Sequence, residues 1–437
     1  MTEVKKLTNL LALCMVVMLV GCQAVKTTTN PDVNTITIGA LVDQTGASTS
    51  PLYKEAVVLA GKQMNQALRE VQSPVFMNIA FGDTQSTASL ASQEAIRLVN
   101  EESAVALITA TSGESIAVNM LNYAPNTPFI QKVPLACYMS SSGYINNPEA
   151  KDENPVRQKA LRDHQGWLHR VFYIADNEAD VVIKIALTKK TTAKSFKVSI
   201  YADSFHQSLA SSIAEKLPAY DPTATADIKI IQESSQIKED WKSIVNTKPD
   251  VVIVAMMPQS ATEAVRTYMK SGYEIPILSN NSFRRNYILA SVGHDADGLE
   301  GSSVQLADHN ESGDEFIKAF TDYTGSIPEM TCSGAYDGTI AMMLASLVAY
   351  YDSGKSYVSG QDVLVGLTKI NNKESAIIRP NIQDFQKAIK LIAAGEKINY
   401  EGAYDSLDWD KLGNIKPALV HWKVENAKFV EYEQYKP

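Results

Sequence analysis

The stretch that decides the fold reads Val105-Ala-Leu-Ile-Thr-Ala110, then Thr111-Ser-Gly-Glu-Ser115, and a helical pattern follows from Ile116. An apolar run that ends at turn residues is typical of a strand buried on both faces of a parallel sheet. Small hydroxyl residues and a glycine follow this strand directly, and a helix then begins. The first turn of a helix has free backbone N–H groups and a partial positive charge, so a carboxylate can bind there without Lys or Arg.

Two interpretations of this turn stay open when it is taken alone. Thr111 and Glu114 form the T-x-x-E pattern of a capping box, which would only end the strand and start the helix. Alternatively, the hydroxyls of Thr111, Ser112 and Ser115 join the free N–H groups in an anion site. The choice between them depends on the rest of the chain.

The N-terminus predicts a secreted, lipid-anchored protein. Lys5 and Lys6 precede an apolar run over residues 10–20, which indicates a signal peptide over residues 1–21 and is too short for a permanent membrane span. The run ends Leu19-Val-Gly-Cys22, which resembles the lipobox of bacterial lipoproteins and implies that Cys22 is lipidated and becomes the first mature residue. A cleaved secretory peptide with a coincidental cysteine is the alternative. In Gram-negative families of this type, a residue other than Asp directly after the cysteine favours sorting of the lipoprotein to the outer membrane. Gln23 occupies this position and fits that rule.

Residues 22–34 are Thr-rich and polar and predict a lipidated, flexible tether. The chain has 437 residues, so the part beyond the tether is long enough for two lobes. A net charge of −9 argues against binding to nucleic acid or to a broad anionic membrane surface, so we expect membrane contact through the lipid anchor only. Beyond Cys22, the mature chain has Cys137 and Cys332, which are either joined in a disulfide or are two buried free thiols. No residue spacing suggests a metal site, and we expect no cofactor.

Strands and helices are predicted to alternate along most of the chain. The strands of a first series span residues 35–42, 75–81, 105–110 and 129–137, and those of a second series span residues 170–174, 196–202, 228–231, 251–257 and 275–279. Such alternation is typical of parallel sheets with right-handed crossovers, so the fold class is α/β with two similar lobes. Pro134 predicts that the fourth strand is an edge or irregular strand, and the polar residues 140–165 predict a long surface loop. After Gly301 the pattern changes to apolar helices, and residues 418–432 predict a terminal hairpin.

Four stretches in the right order carry a resemblance to a known family. They are residues 38–46 (Ile-Gly-Ala-Leu-Val-Asp-Gln-Thr-Gly) with Tyr53 after them, residues 104–115, residues 334–338 (Gly-Ala-Tyr-Asp-Gly), and residues 407–416, which contain an Asp-Trp-Asp run. In these stretches the chain resembles the bacterial solute-binding proteins of the leucine/isoleucine/valine-binding type. The match covers nearly all of the mature chain, although no single motif is diagnostic.

The resemblance implies the type I periplasmic-binding fold, which has two Rossmann-like lobes joined by three crossover segments with the ligand between them. We expect the crossovers near residues 167–174, 299–304 and 399–404. Lobe 1 would then comprise residues 35–170 and 304–400, and lobe 2 residues 171–303 and 401–437. Ligands of open α/β sheets lie beyond the carboxyl ends of the strands, and hinge closure would bury a ligand between two such edges.

The resemblance also implies ligand-binding residues on the first lobe. The loop after the third strand would hold a ligand carboxylate, a hydroxyl would come from the serine run after the fourth strand, and an aromatic side chain from the first loop would cover the ligand. The corresponding residues are Thr111, Ser112 and Gly113, then Ser140 or Ser141 (with Ser142 as a further candidate), and Tyr53. The alternatives are a packing role for Tyr53 at a helix start and a loop-filling role for the serines.

On the second lobe the chain keeps only part of the family pattern. Asp203 matches a family aspartate, Phe205 stands where the family has Tyr, and His206 stands where it has Gly. We interpret His206 as a loop histidine rather than a ligand contact. Asn281 follows the last strand of the second series, where amino-acid binders often have an acid that pairs with the ligand ammonium.

An unpaired buried ammonium would be costly, so this departure leaves two possibilities. Either Asp203, Asp176 or Glu178 supplies the negative charge, or the ligand is not an α-amino acid. An amide, a urea-like compound or a carboxylic acid would suit Asn281 better. Arg284 and Arg285 are predicted to be solvated.

We therefore expect a lipid-anchored extracytoplasmic protein that captures a small polar solute, an amino acid, amide or carboxylate, for an ABC importer with its permease in the inner membrane. The alternative is a sensory or cell-envelope regulatory lipoprotein that contacts another protein, which outer-membrane sorting through Gln23 would favour. An enzyme is not expected, because the sequence has no G-x-S-x-G, P-loop, H-E-x-x-H or Rossmann glycine pattern.

Overall fold

The computed structural model describes residues 34–46, 50–190, 195–203, 206–231, 236–304, 310–354 and 357–435. The predicted signal peptide, Cys22 and Phe205 therefore lie outside the described residues. The described strands, β1 to β14 in chain order, are Asn34–Val42, Val75–Asp83, Ala104–Thr111, Leu135–Met139, Leu168–Arg170, Phe196–Ala202, Ala224–Ile230, Val251–Ala255, Ile277–Ser279, Glu300–Val304, Ala376–Ile378, Ile398–Tyr400, Leu419–Glu425 and Lys428–Tyr435.

The described α-helices accompany these strands as the alternating pattern predicts. In chain order, α1 to α13 are Pro51–Glu70, Ala88–Asn100, Ser112–Tyr123, Pro155–Arg162, Ala175–Leu187, Gln207–Tyr220, Ile237–Asn246, Pro258–Lys270, Asn286–Val292, Glu311–Thr324, Met330–Ser353, Gly360–Leu367 and Ile382–Ala393. Two short 3₁₀ helices, Asn281–Phe283 and Gly293–Ala296, lie before and after α9.

The first sheet has the order β2-β1-β3-β4-β5, and β1, β3, β4 and β5 run parallel. Strand β3 is buried over seven of its eight residues, as its continuous apolar run predicts. Strand β4 is not an edge strand, so of the two alternatives predicted from Pro134 the edge strand is wrong. The proline stands just before the strand, where it needs no N–H, and its carbonyl accepts a hydrogen bond from Leu107 N–H at 3.0 Å.

The second sheet has the order β14-β13-β10-β9-β8-β6-β7. Strands β6 to β10 pair in parallel, whereas β13 pairs antiparallel with β10 and with β14. The predicted terminal hairpin is confirmed, and it extends the sheet beyond β10. The two-lobe α/β fold is thus present, with one parallel sheet in each lobe.

Two segments between the sheets differ from the prediction. Residues 155–162 form α4, which Asn154 caps and Pro155 starts, inside the stretch predicted as a loop. The strand predicted at 170–174 is displaced to β5, which pairs with β4 in the first sheet. The apolar residues of the predicted strand lie after β5 in a buried crossing segment. A buried apolar segment gives the same sequence signal as a strand.

The chain returns to the first lobe after β10, because α10 packs on α1 while α11 packs on α1, β3 and β4. Helix α11 is apolar enough along Thr331–Ser353 to cross a membrane, but the residues of its most apolar window are all buried inside the protein. It is therefore the core helix of this lobe. The residue numbers at which one lobe gives way to the other stay a prediction. Cys137 in β4 and Cys332 in α11 are buried free thiols, so of the two alternatives the structure has the unbridged one.

Asp337 of α11 fixes the start of the third crossing segment. Its carboxylate accepts hydrogen bonds from Tyr400 O–H at 2.8 Å, Ala403 N–H at 2.9 Å and Tyr404 N–H at 2.7 Å, and all of these groups are buried. The backbone approaches the carboxylate closely because residue 402 is glycine. A Cβ atom there would lie 2.4 Å from Asp337 Oδ2.

Gly402→Ala should therefore destabilise the protein by about 2 kcal/mol, since the added methyl would displace a buried carboxylate that three donors hold in place. Urea unfolding at pH 7 measures this change. Gly143→Ala is the matched control, because a Cβ at Gly143 meets no atom within 4 Å and its stability should stay within about 0.5 kcal/mol of wild type. Equal stabilities of the two variants would contradict the proposed role of Asp337.

Candidate functional site

The carboxyl ends of strands from both sheets meet at one boundary. Ser50 caps α1 and Pro51 occupies its first position, which fixes Tyr53 in the first turn after β1. Arg285 follows β9 on the other lobe, and its Nη1 donates a hydrogen bond to Tyr53 Oη at 3.4 Å. Tyr53 is 3% exposed and Arg285 is 7% exposed. This contact shows that the two sheet edges face each other.

A second tyrosine extends this boundary on the first lobe. Tyr138 of β4 packs edge-on against Tyr53, with ring centroids 5.9 Å apart. Burial raises the pKa of Tyr53 to about 12, so both its proton and its phenolic oxygen are available for hydrogen bonding at neutral pH. The Tyr138 hydroxyl is buried and has no hydrogen-bond partner. The sequence pointed to Tyr53 through the family pattern, but nothing in the sequence singled out Tyr138.

The predicted carboxylate-binding loop after β3 already holds a carboxylate of its own chain. Glu114 Oε2 accepts hydrogen bonds from Thr111 N–H at 2.8 Å and from Thr111 O–H at 2.5 Å. Ser112 Oγ accepts from Ser142 N–H at 3.3 Å. Gly113 is exposed, and a Cβ there would meet no atom within 4 Å. Of the two interpretations of this turn, the capping box is thus present, and Thr111 is engaged in it.

The serine run after β4 belongs to an internal network. The Ser140 hydroxyl is fully buried, donates to Ala110 carbonyl oxygen at 3.0 Å and lies 3.0 Å from Ser115 Oγ. The carbonyl of the half-buried Ser141 accepts from Ala175 N–H at 2.7 Å. Ser140 and Ser141 therefore hold the β4 loop against its neighbours.

A second acid lies next to Glu114 at the same edge. Asp43, directly after β1, is fully buried and its Oδ1 accepts from Thr84 O–H and Ser86 N–H. The remaining oxygens, Asp43 Oδ2 and Glu114 Oε1, are buried without another partner. Burial and the neighbouring Asp43 raise the pKa of Glu114 to about 7. A proton on Glu114 that hydrogen-bonds to Asp43 accounts for both orphaned oxygens.

On the second lobe, Asp203 is engaged by its own loop and by the next one. Its Oδ1 accepts from His206 N–H at 3.0 Å and lies 2.8 Å from His206 Nδ1, and its Oδ2 accepts from Met257 N–H at 2.5 Å. His206 Nε2 lies 3.1 Å from Ser282 Oγ. Although burial opposes the change, the hydrogen bonds from His206 lower the pKa of Asp203. His206 thus ties the loops after β6 and β9 together.

The other two acids considered for a ligand ammonium are also engaged. Glu178 is fully buried and accepts from Asn281 N–H at 2.8 Å, Ser302 O–H at 2.9 Å and Tyr173 O–H at 2.7 Å. Asp176 accepts from Ser212 O–H and pairs with Lys216, and its side chain is 58% exposed. Each of the three predicted acids therefore already has partners within the protein, and the two buried ones, Asp203 and Glu178, have several.

The asparagines after β9 have the opposite character. Asn280 and Asn281 are buried, and the Oδ1 atom of each has no hydrogen-bond partner. These two amide groups can accept hydrogen bonds from a neutral polar group, or donate to one if the amide is turned over.

The prediction that Arg284 and Arg285 are solvated is wrong, because both are buried. Arg284 Nη1 donates to Ser303 Oγ at 2.7 Å, and its Nη2 forms an ion pair with Glu431 of the terminal hairpin. The groups that bury these arginines lie far away in the sequence, so local polarity carried no signal of them. The only sign of their burial in the sequence was that two consecutive arginines follow shortly after a core strand.

An open cavity of about 620 Å³ lies elsewhere, between α10 and the residues around Arg379. Half of the residues that line it are charged, including Glu311, Lys318 and Asp384. It is formed away from the strand ends and does not include any predicted ligand-binding residue.

The proton on Glu114 gives a testable pH dependence. Since the pKa of Glu114 is about 7 in the folded protein and 4.5 without perturbation, the folded state binds more protons than the unfolded state between those values. Its contribution to stability therefore falls as the pH rises through that window, by at most about 3 kcal/mol. Glu114→Gln keeps an acceptor for Thr111 and gains an N–H for Asp43, so it should remove this fall.

Urea unfolding of both proteins at pH 5 and pH 8 measures the difference. Glu102→Gln is the control, because Glu102 forms a surface ion pair with Arg97 and this variant should keep the wild-type pH dependence. If Glu114→Gln also keeps it, the shared proton is wrongly assigned.

Comparison with known proteins supports the fold. The family model described as periplasmic binding protein matches residues 35–390. No curated protein matches the chain. Among solved structures, a leucine-binding protein from Thermotoga maritima is similar with a TM-score of 0.66 at 15% identity, covering 92% of this chain and 99% of the other.

Two further solved structures show the same fold. A branched-chain amino acid transporter substrate-binding protein from Streptococcus pneumoniae, in complex with isoleucine, has a TM-score of 0.66 at 15% identity and covers 92% of this chain and 100% of its own. A solute-binding protein of an ABC transporter from Rhodopseudomonas palustris, in complex with 4-hydroxybenzoate, has a TM-score of 0.67 at 13% identity, with coverages of 92% and 97%. The chain therefore belongs to the periplasmic binding protein family.

Proposed function

We propose that this chain is a lipid-anchored extracytoplasmic protein that holds a small polar, carboxylate-bearing solute between its two lobes and delivers it to an ABC importer. The observation that carries the proposal is the contact between Arg285 and Tyr53, which joins the two sheet edges. Tyr138 packs against Tyr53, and Asn280 and Asn281 precede Arg285 in the same loop. Within the described residues, buried polar atoms of all three have no hydrogen-bond partner. Buried polar groups are normally paired, and a bound solute would pair them.

The ligands named for the structural relatives have one group in common. Isoleucine and 4-hydroxybenzoate both carry a carboxylate, and 4-hydroxybenzoate carries no ammonium group. This range of ligands on one fold supports a carboxylate-bearing solute here, whereas it leaves the remainder of the solute open. Members of the family and these relatives bind solutes rather than transform them, so affinity from lobe closure and satisfied hydrogen bonds is sufficient for the function.

The predicted site residues divide into two roles under this proposal. Tyr53 and Asn281 would contact the solute, and the exposed turn at Gly113 leaves its backbone accessible. Thr111, Ser112, Ser140, Ser141 and Asp203 would hold the loops in position, since each has a partner within the protein.

An extracytoplasmic location agrees with the family. The lipobox-like Leu19-Val-Gly-Cys22 and the Thr-rich residues after it support an anchor of one lipidated cysteine with a tether that leaves the two lobes free to move. A lipoprotein that regulates an envelope partner would have the same anchor, so solute binding is the property that separates the two functions.

The full chain should melt at a higher temperature in the presence of at least one small amino acid, amide or carboxylate at 1 mM. For a dissociation constant of about 10 μM, binding adds about 2.7 kcal/mol, which corresponds to a shift of roughly 3 to 5 °C for a chain of this size. Differential scanning fluorimetry across such compounds measures it. A panel without any shift would contradict solute capture and favour the regulatory lipoprotein.

Cys22→Ser should release the protein from the membrane, because the substitution removes the thiol that would carry the lipid. Fractionation of cells that express the full chain measures this, with wild type in the membrane pellet and Cys22→Ser in the soluble extracytoplasmic fraction. Cys137→Ser is the control and should stay in the pellet, since Cys137 is a buried thiol of β4. A Cys22→Ser protein that remains in the pellet would contradict the lipid anchor.

A further inference from the structure

Three arginines are deeply buried in the described part of the chain, and one of them differs from the other two. Arg170 donates to Asn414 Oδ1 at 3.0 Å and to the carbonyl oxygens of Ser142 and Ile145 at 3.0 and 3.1 Å. Arg284 has its ion pair with Glu431. Arg285 has a single hydrogen bond, at 3.4 Å to Tyr53, and its Nε has no partner.

Arg285 also lacks a counter-ion among the described residues. The charged or titratable groups around it are Tyr53, Tyr287, Cys332 and Glu329, and only Glu329 is an acid. Glu329 is half-exposed and does not come within ion-pair distance of Arg285. A buried guanidinium without an anion costs several kcal/mol, so this position favours an anion supplied from outside the chain.

The groups next to Arg285 are hydrogen-bond donors. The Thr331 hydroxyl lies beside the Tyr53 phenol, is fully buried and has no partner of hydrogen-bond geometry. It belongs to the first turn of α11, a helix of 24 residues whose N-terminal end carries a partial positive charge. A guanidinium, a phenol, a hydroxyl and a helix N-terminus together match the two oxygens of a carboxylate.

We propose that Arg285, with Tyr53 and Thr331, binds the carboxylate of the solute, and that the solute has no ammonium group. This inference rests on the proposed function, because it assigns the polarity of the same site. We infer that the solute has no ammonium group because Asp203, Glu178 and Asp176 all have partners within the protein. Asn280 and Asn281 follow β9 on the second lobe, as Arg285 does, and their buried amide oxygens have no partner among the described residues. Such oxygens suit a hydroxyl or amide group at the other end of the solute.

The polarity of the site is then opposite to the one that the family resemblance implies. The loop after β3 carries Glu114 and lies next to Asp43, so a ligand carboxylate there would meet negative charge. The cation lies on the other lobe, at the end of β9. Closing the lobes on a carboxylate neutralises Arg285, whereas closing them on a neutral molecule leaves it unpaired.

The test compares three matched compounds in each of two series by isothermal titration calorimetry with the full chain in detergent. The first series contains 4-methylpentanoate, its α-amino derivative leucine, and 4-methylpentanamide. The second series contains 4-hydroxybenzoate, benzoate and benzamide. If the first series binds, 4-methylpentanoate should bind at least about 10-fold more tightly than leucine and than the amide, and if the second binds, benzoate should bind at least about 10-fold more tightly than benzamide. Tighter binding of leucine than of 4-methylpentanoate would overturn the inference.

Variants of Arg285 test the anchor itself. Arg285→Met should weaken binding of the best carboxylate by at least about 100-fold, and Arg285→Lys by about 10-fold, because Lys keeps the charge but not the planar pair of donors. Arg157→Met is the matched control, since Arg157 lies on the surface of α4 with a half-exposed side chain, and it should bind as wild type does.

The melting temperature of the unliganded variants separates binding from a structural role. Arg285→Met should melt at or above the wild-type temperature, because it removes a buried charge without a counter-ion among the described residues. Arg284→Met should melt lower, because it removes the ion pair with Glu431. A lower melting temperature of unliganded Arg285→Met would show a structural arginine and overturn the inference.

The two proposals fail in different ways. If wild type binds none of the six compounds and no compound of the thermal-shift panel, the proposed function is contradicted and this inference falls with it. If wild type binds a carboxylate and Arg285→Met binds it equally well, the protein is a solute-binding protein whose anion site lies elsewhere.

Discussion

The structure depends on one geometric constraint, which is that two separate parallel sheets direct the carboxyl ends of their strands at the same boundary. Every candidate residue follows from it, because β1, β3 and β4 deliver loops from one side and β6 and β9 deliver them from the other. The crossing segments maintain this arrangement, and Asp337 fixes the start of the third with three hydrogen bonds. Among the described residues, the buried polar atoms without partners include Tyr138 Oη and Arg285 Nε at this boundary, as expected of a site that a solute completes.

Electrostatics divides the boundary into two unlike halves. The first lobe contributes Glu114, whose pKa burial and the neighbouring Asp43 raise to about 7, and the second contributes the guanidinium of Arg285. An acid that caps a helix is neutralised by the N–H groups it accepts from, whereas an arginine between two lobes is neutralised only when an anion enters. The acidic edge is thus complete without a ligand, and the basic one is not. This asymmetry links closure of the lobes to the charge of the solute.

Much of the fold was predictable from local sequence. The apolar run of β3, the alternation of strands and helices and the terminal hairpin all appear as their periodicity predicts, because hydrophobic pattern is a local property. The capping box at Thr111 and Glu114 was one of the two interpretations of that turn for the same reason. The edge strand predicted from Pro134 and the strand predicted at 170–174 were wrong. Both depend on which neighbouring segments pack against them, and local sequence does not reveal those neighbours.

The candidate site was much less predictable. Burial of Arg284 and Arg285 depends on Glu431, Tyr53 and Thr331, which are distant in sequence, so no local pattern could distinguish them from surface arginines. Similarly, Asp203 and Glu178 looked like free acids until their partners were known. The family resemblance predicts a site between the two sheet edges, whereas the charges on each side came only from three-dimensional contacts.

The claim that a solute binds between the lobes is tested most directly by the distance between them. Spin labels on cysteines introduced at the exposed residues Glu101 and Lys242, one in each lobe, with Cys22 replaced by Ser, allow this distance to be measured by double electron–electron resonance. A solute that raises the melting temperature should shift the distance distribution to shorter values and narrow it, because both lobes grip the same molecule. An unchanged distribution with that solute bound would contradict the account, since the solute would then occupy one lobe alone.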